Sequence, residues 1–203
     1  VLDAADGELI SATPFTAQNW TTGEFDENGR PVLIEEAVDL ALYAVVPGPT
    51  GAHNWHPMAF NPDTGLVYIP VNEIPFFYDK TRNVENSKSW WNVGYDVAAG
   101  WPVEYPAGTL DAVADLDGGS LLAWDPVKAE PRWAVPFALP LNGGVLSTDA
   151  GLVFQGNKFG DLVAYDAETG ERLWSEQLVG NAAAAPMTYE IDGEQYLSVL
   201  SGW

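Results

Sequence analysis

Two stretches of this chain share one spacing, and that spacing limits the fold more than any other feature. Gly119-Ser120-Leu121-Leu122-Ala123-Trp124-Asp125-Pro126 leads to Trp133, and Gly160-Asp161-Leu162-Val163-Ala164-Tyr165-Asp166 leads through Gly170 to Trp174. In both, Ala, an aromatic residue and Asp are consecutive, and a Trp falls eight residues after the Asp. The two Asp residues lie about 41 positions apart, the period of a four-stranded propeller blade. Asp3 and Gly7 repeat the turn about three periods upstream, with Ser11 where the Trp would fall. Residues 143–148, 151–156, 183–189 and 195–200 read as strands joined by tight turns, and helical periodicity is weak throughout. Blades bury their faces only against neighbouring blades. The fold class expected is therefore all-β, a partial β-propeller of about four to five four-stranded blades. Residues 1–203 form a single incomplete domain, with long excursions at about 12–50 and 79–111. Both ends fall in mid-pattern, on Val1-Leu2-Asp3 and on Leu200-Ser201-Gly202-Trp203, so both read as cut.

Composition narrows the function classes. A net charge of −21, from 29 acidic and 8 basic residues, argues against nucleic acid and against anionic membrane surfaces. It reads as a solvated surface, or as a face for a basic partner such as a small electron carrier. The chain has no cysteine, hence no disulfide, zinc-thiolate or haem-attachment motif. No apolar run is long enough to span a bilayer, and the N-terminus lacks the pattern of a signal peptide.

The densest chemistry lies at 51–58, Gly-Ala-His-Asn-Trp-His-Pro-Met, directly before a strand–turn–strand unit ending at Pro70. Asn54 can both donate and accept, whereas the Trp55 indole only donates. The pair reads either as a ligand-contacting wall or as a turn in which Asn caps backbone amides and Trp packs. His53 and His56, three apart, have no third ligand at a recognisable spacing, which favours packing or hydrogen bonding over a metal. Phe76, Phe77, Tyr78 and Trp101 are candidates for an apolar cleft, with core packing as the other reading. The irregular 79–111 segment has the length of a cleft cover.

At these residues the sequence resembles the quinoprotein alcohol dehydrogenases that depend on pyrroloquinoline quinone (PQQ), especially the quinohaemoprotein type. Three features carry the resemblance. They are the Asp166–Gly170–Trp174 spacing, similar to that family's tryptophan-docking motifs, the run from His53 to Pro70, and the run from Asn142 to Gly156. The resemblance implies the C-terminal half of an eight-bladed propeller. It implies a periplasmic enzyme that oxidises small alcohols to aldehydes or ketones by hydride transfer to PQQ and passes electrons to a cytochrome c. Asn54 and Trp55 match the family's PQQ-contacting pair. The catalytic Asp, the ligands for Ca²⁺ (or a lanthanide), an adjacent-cysteine disulfide and a basic residue holding the quinone oxygens are implied to lie before Val1. A haem c domain is implied after Trp203. The remainder of the propeller is thus an expected partner, and the segment alone is expected to be inactive. Leu141 departs from the pattern, because the family usually places Trp before Asn-Gly-Gly. A non-catalytic propeller that scaffolds protein partners is the competing reading.

Overall fold

The computed structural model describes residues 1–35, 42–79 and 118–202, and every described element is a strand. Strands β4 (Ala59–Asn61), β5 (Leu66–Asn72), β7 (Gly119–Asp125) and β8 (Glu130–Phe137) form one antiparallel sheet in the order β4-β5-β7-β8. Strands β9 (Val145–Ser147), β10 (Leu152–Gly156), β11 (Asp161–Asp166) and β12 (Arg172–Gln177) form a second sheet in simple meander order. Three two-stranded sheets accompany them. These are β1 (Thr21–Phe25) with β2 (Pro31–Leu33), β3 (Leu42–Val45) with β6 (Phe76–Asp79), and β13 (Met187–Ile191) with β14 (Glu194–Ser198). Trp101 and the rest of 80–117 lie outside the described residues.

The excursion at 12–50 holds more strand than its residues announce. Thr21 to Phe25 is polar and contains Gly, so no apolar alternation marks it. Its hairpin is set by Asp26, whose Oδ1 accepts the Asn28 and Arg30 amides. Asn19 pins this excursion: its Nδ2 donates to the Ala44 carbonyl and its Oδ1 accepts the Val46 amide. Residues 71–78 read as too interrupted by Pro for a central strand; β5 continues to Asn72, and β6 pairs only with β3 in a two-stranded sheet. Pro70 sits within β5 because its missing donor costs no ladder bond. A residue's N–H and C=O point to the same side of a strand, and the Pro70 carbonyl faces away from β7 to meet His53 Nδ1 at 3.1 Å.

The two four-stranded sheets pack face to face. Leu66, Tyr68, Leu121 and Ala123 from the first meet Val145, Val153, Val163, Tyr165 and Ala167 from the second in one buried cluster. The other face of the first sheet buries Ile69, Val71 and Leu122 against Phe15 and Trp124. Burial on both faces explains why β5 and β7 read as near-continuous apolar runs rather than alternations. At the seam, Trp133 of β8 donates its indole N–H to the Ala167 carbonyl at 3.1 Å, and the Tyr68 hydroxyl donates to the same oxygen at 2.9 Å. Burial raises the pKa of Tyr68, which keeps that hydroxyl a donor.

The repeated turn works the same way in both copies. Asp166 Oδ1 accepts the Glu168 and Thr169 amides and the Thr169 hydroxyl, and Gly170 N–H returns to the Asp166 carbonyl. The Thr169 bonds foremost hold the Asp166 carboxyl below its usual pKa. Asp125 Oδ1 accepts the Val127 and Lys128 amides. Ladder irregularities follow Ala123 and Ala164 at matching positions. One of the differences between the copies bears on the seam. Gly170 has φ +74 and lies under Trp133, where a Cβ would meet Cε3 at 2.7 Å. Ala129 takes the matching position with φ 55. Ser11, where the preceding copy would place Trp, lines a cavity of ≈ 280 Å³ together with Phe15, Trp124 and Ala129. Loss of the ring and loss of the glycine therefore coincide at one seam.

The same exchange should have opposite signs at the two positions. Gly170→Ala adds left-handed strain and a clash with Trp133, and should cost more than about 1 kcal/mol. Ala129→Gly should stabilise by up to about 1 kcal/mol, because only strain is relieved there. Urea midpoints of the two variants check this, and a loss of stability in Ala129→Gly would contradict it.

Candidate functional site

The 51–58 segment is a loop stitched along the edge of β5 beyond the short strand β4. The Asn72 amide donates to the Ala52 carbonyl at 2.7 Å, His53 Nδ1 meets the Pro70 carbonyl, and Val145 of β9 donates to the Pro57 carbonyl at 2.9 Å. Gly51 begins the loop with φ +73, a conformation in which a Cβ would crowd the His53 carbonyl at 2.9 Å. Between the Ala52 and Pro57 anchors, Asn54 and Trp55 are carried to the surface. Trp55 is 60% exposed, and Asn54 is also exposed. Asn54 Nδ2 donates to the Thr50 carbonyl and its Oδ1 accepts the Trp55 amide, so the carboxamide caps its own turn. The amide's second hydrogen and the oxygen's second lone pair remain for another group. The carboxamide thus caps its turn, and one face of the Trp55 indole rests on a neighbouring ring.

Trp55 lies flat on His56, with ring centroids 3.9 Å apart and planes 25° from parallel. His56 is buried, and its Nε2 has no hydrogen-bond partner. Burial, then the neighbouring charges of His53 and Lys158, lower its pKa. The imidazole is therefore neutral at pH 7 and serves as the platform beneath the exposed indole. Among the described residues, no group of three or more His, Cys, Asp or Glu could hold a metal ion.

The corner at 141–144 meets this loop at Pro57. Leu141 has φ 59, and its amide donates to Asn72 Oδ1 at 2.7 Å. Asn142 is buried, donating to the Leu139 carbonyl and accepting the Lys158 amide. A Cβ on Gly143 would collide with the Ala182 carbonyl, and one on Gly144 would stand 2.6 Å from Pro57 Cδ and 2.9 Å from the Ala185 Cβ. The Gly-Gly pair thus lets the loop, the second sheet and the segment after β12 meet. Gln155, fully buried, clamps the corner through Nε2 to the Gly143 carbonyl at 2.7 Å.

Of the proposed cleft residues, Phe76 is fully buried against Gly48, so it packs in the interior. Phe77 contributes backbone to β6, its side chain and Trp101 lying outside the described residues. The sequence reading missed Asn72 and Gln155. Each places a carboxamide at or near the end of a buried apolar strand, and that is the signal that marks them.

A family model described as "PQQ: Glucose/ethanol/alcohol dehydrogenase, beta-propeller domain" matches residues 6–197. The chain belongs to this PQQ dehydrogenase family. The whole chain aligns at 42% identity with the quinohemoprotein alcohol dehydrogenase ADH-IIG of Pseudomonas putida, of which it covers 29%. It is 38% identical to a 1-butanol dehydrogenase (cytochrome c) of Thauera butanivorans, again covering 29%. The solved structure of the P. putida HK5 ADHIIG enzyme superposes with a TM-score of 0.83 at 39% identity, over 100% of this chain and 30% of that one. A europium-containing methanol dehydrogenase matches with a TM-score of 0.79 at 30% identity, over 99% of this chain and 34% of that one. The chain thus spans about 30% of the length of these PQQ dehydrogenases.

The neutral state of His56 has a pH signature. Its folded pKa is depressed, so the unfolded chain binds more protons as pH falls below about 6.5, and His56 then favours unfolding. Melting curves of wild type and His56→Gln, compared from pH 7.5 to 5, should show the wild type losing more stability on the acid side. His53 and Lys158, the charges that bear on this ring, remain in both proteins. Parallel losses would show that His56 is not held neutral.

Proposed function

We propose that this chain supplies one wall of the PQQ pocket in an alcohol dehydrogenase, with Asn54 and Trp55 facing the cofactor. The observation that carries the reading is the exposed Trp55 indole, held flat on a buried neutral imidazole within a loop anchored at both ends. A rigid aromatic surface suits a planar polycyclic quinone. The free valences of the Asn54 carboxamide suit the quinone or carboxylate oxygens at its rim. When bound, PQQ supplies the two-electron chemistry that oxidises an alcohol to an aldehyde or ketone. The residues of this chain hold and orient the ring, and the stitched loop excludes water from one side of it.

The names of similar proteins, quinohemoprotein alcohol dehydrogenases and a 1-butanol dehydrogenase (cytochrome c), support a small alcohol as substrate and a cytochrome c as electron acceptor. Ca²⁺ or a lanthanide would be held by residues outside this chain, as would the general base, and a haem c domain would follow. The repeated Asp–Gly–Trp turns fit the family's tryptophan-docking role, and a periplasmic location accords with the same enzymes.

In the protein that carries this chain, Trp55→Ala should weaken PQQ binding about tenfold or more, with a smaller effect for Trp55→Phe. Titration with PQQ, followed by intrinsic fluorescence, measures both. The isolated 203-residue chain should oxidise no alcohol with PQQ and Ca²⁺ added. Unchanged affinity in Trp55→Ala would refute the wall, and turnover by the isolated chain would refute the division of labour.

A further inference from the structure

We infer that Asn72 is a positioning residue for the pocket, one buried carboxamide that locks its two sides together. The inference rests on the reading of Asn54 and Trp55 as a PQQ-facing wall. Asn72 ends β5 and is only 2% exposed. Its backbone N–H holds the Ala52 carbonyl at 2.7 Å, which is the first anchor of the site loop. Its side-chain Oδ1 accepts the Leu141 amide, also at 2.7 Å, which fixes the start of the 141–144 corner. The second anchor of the loop, the Pro57 carbonyl, accepts the Val145 amide one residue beyond Gly144. Both ends of the span bearing Asn54 and Trp55 are therefore tied to one corner, and Asn72 makes one of the two ties.

Two further observations set Asn72 apart from an ordinary packing residue. Leu141 sits at φ 59, in the left-handed region that a non-glycine residue rarely occupies, and the Asn72 acceptor holds its amide there. The Asn72 Nδ2 group, by contrast, is buried without a partner. An unpartnered buried donor is unfavourable, and that cost offsets part of what the Leu141 bond contributes to stability. What the carboxamide contributes is the acceptor aimed at Leu141.

The two roles separate by substitution. Asn72→Leu removes the acceptor together with the unpartnered donor. It should weaken PQQ binding about three- to tenfold while leaving the melting temperature close to wild type. Asn72→Asp keeps the acceptor but buries a carboxyl, so it should melt earlier and yet bind PQQ within about twofold of wild type. Leu141→Gly in the Asn72→Leu background should recover part of the lost affinity, because glycine keeps a positive φ unaided. The measurements use the full-length protein with PQQ as the probe. Hydrogen exchange in the unmutated protein gives an arm free of variants: peptides covering 52–58 and 139–146 should slow together when PQQ is added. Wild-type affinity in folded Asn72→Leu, or slowing in one peptide alone, overturns the inference. If Trp55→Ala also leaves PQQ affinity unchanged, the wall itself is wrong; if only Asn72→Leu does so, the wall stands and the lock fails.

Discussion

The carbonyl oxygen of Ala167 is where the two four-stranded sheets are fixed to each other. Two donors from the first sheet, the Trp133 indole and the Tyr68 hydroxyl, converge on it from within the apolar seam. A carbonyl has two lone pairs, and here both are used inside a low-dielectric junction where an unmade bond would be costly. The candidate site depends on this junction, because its halves belong to different sheets. The loop bearing Trp55 hangs on β5, whereas the Gly143-Gly144 corner leads into β9. Asn61 adds a second clamp, donating to Ser147 Oγ and to the Thr148 carbonyl across the seam. A change in how the sheets dock would alter the spacing between the two sides before it altered either side itself.

What was legible in the sequence follows from what repeats. The Asp-initiated turn, the Gly with positive φ and the Trp eight residues on are local in sequence and recur at one period, so the sheet architecture could be read from them. Asn54 and Trp55 were legible as a pair because two unusual residues adjoin at the mouth of a hairpin. The strand at 21–25 was hidden because its order comes from the Asp26 turn and not from apolar alternation. The passage of β5 through Pro70 was hidden for another reason. Whether a missing donor matters depends on which side of the strand has a neighbour, and β4 begins only at Ala59, opposite Tyr68, so it does not reach Pro70. Asn72 was hidden by distance: its partner amide is 69 residues away.

Electrostatics divides the molecule in a consistent way. The net charge is −21, yet the buried polar residues among those described are Thr21, His56, Asn61, Asn72, Asn142 and Gln155, none of them acidic or permanently charged. The carboxylates that organise structure do so at exposed turns, where backbone amides stabilise them in water. The walls of the site are built from carboxamides, an imidazole, an indole and glycines. Such walls add no fixed negative charge to a surface already crowded with it, and that suits a quinone which itself carries carboxylates. Lys158, whose charge reaches His56, adds to this local relief.

Three described non-glycine residues have positive φ, and their settings differ in a way that separates architecture from function. Asp192 precedes Gly193 in the two-residue loop between β13 and β14, where positive φ at both positions gives the twist a tight hairpin needs. Ala129 closes the β7–β8 turn at the place where the repeat uses glycine. Both are hairpin ends, and geometry alone accounts for them. Leu141 belongs to no hairpin. Its unfavourable backbone is held by a buried acceptor from another strand, next to two glycines that admit close contact with the site loop. Strain kept at such a place persists only because the surroundings over-determine it. The loop anchors at Ala52 and Pro57, the Asn72 acceptor and the Gln155 clamp are those surroundings. The site's rigidity therefore comes from carboxamides acting on the backbone across long sequence separations, while the repeated turns supply the frame on which they act.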